Sequence, residues 1–294
     1  MRSRYHFLIF SAAVLVIISG VYLISSHTGL IGGFKEPGSA TSAEIKPAPP
    51  APPKIQVKID DAAAYGAFDL KGEEILGKNT EKVWPLASLT KLMTAYVALK
   101  YIPSTDLIEF DKSSLEVGGN AGHLEVGEEY PLPEMLKVML MMSNNGAAQS
   151  IAVHYGYDKF VAAMNTEAQA LGLGNTHYAD PTGLSADDTS TVADMSRLVD
   201  FLWQTKPEIF ELTRPQTGVV TAANTGTTHN LWNIDQFSGR PDFLGGKTGT
   251  TPEAKDNLIA IFGNSAKTNP IVAIVFGADH RYEDAQVIIK SAQQ

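Results

Sequence analysis

The chain has 294 residues, 44% of them hydrophobic and 19% charged, with 25 Gly and 16 Pro, which excludes a mini-protein, a collagen-like fibre and a wholly disordered or many-span membrane chain. It contains 0 Cys, which removes disulfides, thiolate nucleophiles and cysteine-ligated metals without fixing the compartment. Net charge is −9; residues 1–54 hold five basic groups (Arg2, Arg4, Lys35, Lys46, Lys54) against Glu36 and Glu44, so the remainder carries −12 and offers no basic stripe for nucleic acid.

Phe7 to Ile24 is an uncharged run that, at 1.5 Å per residue, spans about 27 Å as a helix and matches the hydrocarbon thickness of a bilayer. Arg2 and Arg4 precede it, so residues 1–31 read as a cytoplasmic tip and a transmembrane signal anchor that sends the rest outward. A cleaved signal peptide is the rival reading, opposed by the length of the run and by the lack of an A-x-A-like site close behind it. Residues 32–54, rich in Pro, Gly and Ser, form a linker whose proline-rich end favours extended polyproline II. Residues 55–294 then form the folded domain.

Alternation at Ile55, Val57 and Ile59, at Ala64, Gly66 and Phe68, and again around Ile75 predicts short antiparallel strands. Leu89, Leu92, Met93, Tyr96 and Val97 predict a helix from near Ser88, and Met135 to Met142 a second. Ala147, Ile151 and Tyr155 predict a third ending at Gly156, and Phe160 to Leu171 a fourth ending at Gly172. Ser190 as N-cap and Pro207 beyond bound a fifth. Strands return at Val219–Ala222, Phe243–Thr248, Leu258–Phe262 and Ile271–Phe276, before a final helix from Arg281 to Lys290. Strands at both ends around a helical middle imply an α+β fold whose chain ends meet in one sheet.

Three short motifs carry chemistry. Ser88-Leu89-Thr90-Lys91 places a hydroxyl and an amine on one helical face, where lysine serves as base if desolvation or a nearby cation lowers its proton affinity. The plain alternative is a helix cap at Ser88. Ser143-Asn144-Asn145 lies at a helix junction and reads by itself as an N-cap. Lys247-Thr248-Gly249-Thr250 follows Gly245-Gly246 on a strand, with Lys247 and Gly249 on one face and Thr248 and Thr250 on the other. Their order, Ser-x-x-Lys, Ser-x-Asn, Lys-Thr-Gly, is the motif set of penicillin-binding proteins and serine β-lactamases.

From about Ile55 to Lys290 the chain resembles the D-alanyl-D-alanine carboxypeptidase family, peptidase family S11, the low-molecular-mass penicillin-binding proteins. The resemblance extends to Ala87 through Thr94, to Leu171-Gly172-Leu173 with Asn175-Thr176-His177, to Thr182-Gly183-Leu184 and to Asn257-Leu258. It implies a penicillin-binding protein/serine β-lactamase-like transpeptidase fold, a five-stranded antiparallel sheet flanked by helices plus a helical subdomain. It implies hydrolysis of peptidoglycan stem peptides ending in D-Ala-D-Ala through an acyl-enzyme on Ser88, with β-lactam antibiotics as covalent inhibitors. Neither a metal nor a cofactor is expected.

By the same resemblance Lys91 is the base, although which group removes the serine proton stays open in related enzymes. Ser143 passes a proton to the leaving amine, and Asn145 holds Lys91 and the substrate amide. Lys247 lowers the pKa of Lys91 and attracts the substrate carboxylate, with Thr248 and Thr250 as hydrogen-bond donors beside Gly249. The backbone N–H groups of Ser88 and Thr250 form the oxyanion hole.

Four departures stand out. Gly146 replaces the usual aspartate and is expected to loosen the start of its helix. Thr228-His229-Asn230 lacks the common arginine, leaving His229 as a weak substitute. Ala254-Lys255 replaces Ala-Gly at the pocket rim, and the chain stops at Gln294, where many relatives continue. Competing activities are a D,D-endopeptidase using the same residues, a β-lactamase, for which no Glu-x-x-Leu-Asn segment is seen, and a non-catalytic wall-binding scaffold.

Overall fold

The computed structural model describes residues 57, 59, 61–119, 122–263 and 270–294. The proposed membrane span, the whole of the linker and the Ile55 end of the first predicted strand lie outside these residues. Among the described residues no helix is long and apolar enough to cross a membrane.

In chain order the elements are β1 (Ala64–Asp69), β2 (Glu74–Lys78) and β3 (Trp84–Pro85), a 3-10 turn (Ala87–Thr90), α1 (Lys91–Tyr101), β4 (Leu107–Glu109), α2 (Lys112–Glu116), β5 (Glu129–Pro131) and α3 (Leu132–Met141). There follow α4 (Asn145–Tyr155), α5 (Tyr157–Ala170), β6 (Thr189–Ser190), α6 (Val192–Thr205), α7 (Glu208–Glu211), β7 (Thr217–Thr221) and β8 (Thr228–Trp232). The chain closes with β9 (Phe243–Thr251), β10 (Lys255–Phe262), β11 (Ile271–Ala278) and α8 (Arg281–Ala292). The main sheet has five strands in the order β2-β1-β11-β10-β9, antiparallel throughout, so the two ends of the domain pair through β1 and β11 as the sequence implies.

β10 and β11 read as continuous apolar runs because the sheet is covered on both faces. The side-chain period of two sorts them. Ile259, Ile261, Val272, Ile274 and Phe276 join the helical core, whereas Leu258, Ala260, Phe262, Ala273 and Val275 pack with Tyr282, Ala285, Ile288 and Ile289 of α8. On the helical side α1 is buried on every face from Lys91 to Ala98, the behaviour of a central helix rather than an amphipathic one.

Two predicted boundaries move. The helix expected from Ser88 begins at Lys91, and Ser88 lies in the 3-10 turn before it without capping anything. The fifth helix is capped by Thr191, whose hydroxyl accepts from Asp194 N at 3.0 Å, while Ser190 pairs with Trp84 in a two-strand ladder. The β7–β8 hairpin was visible only as its first strand, because Thr228-His229-Asn230 lacks the apolar alternation that marks a strand.

Candidate active site

Ser88 sits where three segments converge. The residues before it are pinned from two sides: Leu86 N–H donates to Asp188 O at 2.7 Å, and the Asn257 side-chain amide donates to Pro85 O at 2.8 Å and Leu86 O at 3.1 Å. Ala87 then takes φ 48°, a left-handed conformation a residue with a Cβ adopts only when its surroundings impose it. Two glycines permit the approach. A Cβ on Gly183 would lie 1.9 Å from Ala87 O, and one on Gly249 would lie 3.0 Å from Ser88 N. The serine is half-buried and open to a substrate.

Lys91 is fully buried. Its Nζ lies 2.8 Å from Ser88 Oγ, 2.7 Å from Asn145 Oδ1 and 2.6 Å from Thr182 O. Burial lowers its pKa to about 7, against the opposing pull of the Asp180 and Asp188 carboxylates. Asp180 organises the loop that supplies the Thr182 carbonyl: its carboxylate accepts from Thr182 N at 2.5 Å, Gly183 N at 2.8 Å and Ser185 N at 2.7 Å. Burial pushes Asp180 up, but these bonds outweigh it and hold its carboxyl below the usual range. Asp188 goes the other way, pushed up to about 8 by burial and then by Asp180, with one carboxyl oxygen lacking a partner.

The second motif serves two purposes. Asn144 caps α4, its side chain accepting from Ala147 N at 2.7 Å, so the helix that Gly146 was expected to loosen is capped in the ordinary way. Ser143, held at φ 53°, turns its hydroxyl to Lys247 Nζ at 2.8 Å. The structure thus brings Ser88, Lys91, Asn145, Ser143 and Lys247 into one hydrogen-bonded crevice.

Lys247 and Gly249 face Ser88 and Ser143, as the strand alternation requires. β9 is an edge strand, and Gly246 N–H leaves its free edge for Thr213 Oγ1 at 3.0 Å. Period two therefore directs the N–H groups of Thr248 and Thr250 off the same edge. The Thr250 hydroxyl, expected as a donor to ligand, is already used: it donates to Asp256 Oδ1 at 2.7 Å and accepts from Arg281 at 2.8 Å.

Burial is the main cause that lowers Lys91, and Lys247 is lowered by burial and then by repulsion from Lys91, a repulsion the two ammonium groups share. His229 is no substitute for an arginine, because its Nε2 is held by Glu128 at 2.9 Å. Arg281, the first residue of α8, reaches Thr250 Oγ1 and, at 3.2 Å, Gly249 O, and it pairs with Asp256 at 3.2 Å. No sequence motif marks Arg281, because its place comes from packing α8 against the sheet. At the rim, Ala254 is buried with its carbonyl accepting from Trp84 Nε1 at 2.9 Å, and Lys255 pairs with Asp279 at 3.0 Å. Among the described residues no group of His, Asp and Glu could hold a metal ion.

Comparison with known proteins agrees with this geometry. The chain is 33% identical over 261 residues to a D-alanyl-D-alanine endopeptidase of Pseudomonas aeruginosa, covering 84% of this chain and 81% of that one. It is 32% identical over 221 residues to a D-alanyl-D-alanine endopeptidase of Escherichia coli, covering 73% and 70%. The crystal structure of a D-alanyl-D-alanine carboxypeptidase from Mycobacterium tuberculosis superposes with a TM-score of 0.74 at 23% identity, over 82% of this chain and 93% of that one, which places the fold among the penicillin-binding proteins. Residues 52–280 match the family model described as D-alanyl-D-alanine carboxypeptidase, and the chain therefore belongs to that family of serine D-Ala-D-Ala peptidases.

Proposed function

We propose that the chain is a D-alanyl-D-alanine carboxypeptidase that trims peptidoglycan stem peptides through an acyl-enzyme on Ser88. The observation that carries this reading is the 2.8 Å contact between a half-exposed Ser88 hydroxyl and a buried Lys91 amine. A neutral amine has two N–H groups and one lone pair. Asn145 Oδ1 and Thr182 O accept the two N–H groups, so the lone pair is left facing Ser88 Oγ. Lys91 takes the serine proton as Oγ attacks the carbonyl of the penultimate D-alanine. The N–H groups of Ser88 and Thr250 receive the developing oxyanion. Ser143, hydrogen-bonded to Lys247, relays a proton to the leaving amine, and water then hydrolyses the ester. Lys247 at the end of the groove attracts the substrate's C-terminal carboxylate.

A second reading, D,D-endopeptidase, uses the same residues and is favoured by the names of the two relatives above. Incubation with a pentapeptide and with a cross-linked dimer separates them: release of free D-alanine supports the carboxypeptidase, and cleavage of the dimer alone supports the endopeptidase. Labelled penicillin is expected to remain on the native protein after denaturation and to be absent from Ser88→Ala by intact mass. Rapid turnover of the label would favour a β-lactamase, and absence of any adduct on the native protein a non-catalytic scaffold. We further propose that Phe7–Ile24 anchors the domain outside the bacterial cell membrane; the full chain should then stay with membranes after alkaline washing.

A further inference from the structure

We propose that Gly119 is a positioning residue for the acyl transfer: the Asn145 amide stands in the place that its missing side chain leaves open, and this keeps Asn145 Oδ1 on the Lys91 amine. The proposal rests on the acyl-transfer reading above and deepens it. An asparagine side chain turns about two single bonds, so the 2.7 Å contact between Asn145 Oδ1 and Lys91 Nζ depends on where the other end of the amide can go.

Gly119, in the loop between α2 and β5, meets Asn145 twice. Its carbonyl accepts the Asn145 backbone N–H at 3.3 Å, one of the N–H groups at the start of α4 that have no partner within the helix. Its α-carbon faces the side chain of the same residue. A Cβ on Gly119 would overlap Asn145 Nδ2, and the next atoms it met, at 3.3 and 3.9 Å, would be Cγ and Cβ of Asn145. Gly119 is itself exposed, so the close approach serves this one side chain and not the packing of the core.

Both partners are held. α2 ends at Glu116, three residues before Gly119, and is tied along α4 by Ser150 Oγ, which donates to Ser114 Oγ at 2.8 Å. Asp111 caps α2 by accepting from Ser114 N at 2.8 Å, and Asn144 caps α4 beside Asn145. Pushing aside the end of one side chain costs the fold little. Asn145 Nδ2 cannot give way, however, without carrying Oδ1 of the same planar amide away from Lys91. One of the two acceptors that aim the Lys91 lone pair at Ser88 is then lost.

The test is Gly119→Ala in the full chain, set against Gly118→Ala. The two glycines are neighbours, both exposed and both left-handed, at φ +65° and +76°, so alanine strains the backbone alike at either; but a Cβ on Gly118 would meet nothing within 4 Å. Both variants should melt a few degrees below the native chain. Acylation of Ser88 by a labelled penicillin should fall by about tenfold or more in Gly119→Ala and by less than about twofold in Gly118→Ala. Asp180, Asp188 and Lys247, the charged groups that face Lys91, stay in place. Withdrawal of Asn145 Oδ1 should therefore move the acid limb of the pH profile down, because an ammonium loses more than an amine when an acceptor leaves. Gly119→Asn also carries a Cβ but accepts a left-handed backbone more readily; it should recover stability without recovering the rate. In an Asn145→Ala background Gly119→Ala should add nothing to the loss. Equal rates for the two alanine variants, recovery of the rate in Gly119→Asn, an unmoved acid limb, or a further loss in the Asn145→Ala background would each overturn the assignment. Failure of the native chain to acylate at any pH would instead sink the acyl-transfer reading.

Discussion

At the scale of single residues the site is built on buried polar groups whose proton affinities are set by what encloses them. On the proposed mechanism Lys91 is neutral when it accepts the serine proton, and a pKa of about 7 makes the neutral fraction rise through that pH. Acylation of Ser88 should therefore show an acid limb near pH 7. Asn145→Ala removes one of the two acceptors that aim the Lys91 lone pair; leaving a buried donor without its acceptor costs about 1–3 kcal/mol, so acylation should fall by about 5- to 150-fold. Asp188 gives a stability test with a definite sign. Its folded pKa, pushed up to about 8, lies above the ordinary carboxylate range, so the native state binds the proton more tightly than the unfolded chain. The stability this contributes is full below that range and is lost as pH rises to the folded value. Asp188→Asn keeps the acceptor for Ala179 N and cannot ionise. It should melt above the native protein at pH 9 and lose that advantage at pH 4.

At the scale of elements, the strongest helices and strands were legible because apolar spacing records which face is buried. α3, α4 and α5 appear close to where the spacing puts them, and so do β9, β10 and β11. The short ladders β3–β6 and β4–β5 were not, since two or three residues show no period. By apolar spacing alone the 3-10 turn that carries Ser88 reads as the first turn of a helix. Local sequence does not show that the Asp180–Asp188 loop and Asn257 draw this segment aside. Gly183 is where that loop meets the turn, at φ +83° and with Ala87 O in the place of a side chain. Gly183→Ala should lower stability in urea unfolding by about 1–3 kcal/mol and also slow penicillin acylation, because the clash falls on the residue before Ser88.

At the scale of the molecule, α8 covers one face of the sheet and brings Arg281 behind β9, so the last helix couples stability to the site. A chain ending at Ala278 would expose the face occupied by Tyr282, Ala285, Ile288 and Ile289. At about 1.5–3 kcal/mol for each of the three large side chains, that loss is comparable to the whole stability of a domain. The truncated chain should be insoluble or lack near-UV dichroism. By itself the amino-acid order determined the α+β class, the pairing of the chain ends and the identity of Ser88, Lys91, Ser143, Asn145 and Lys247. These follow from periodicity and from motifs whose spacing survives in one dimension. Only the tertiary structure decided that Lys91 is depressed by burial and that Arg281 of α8 reaches Gly249 and Thr250 of β9. Desolvation and Coulomb energy depend on distances between segments that lie far apart along the chain.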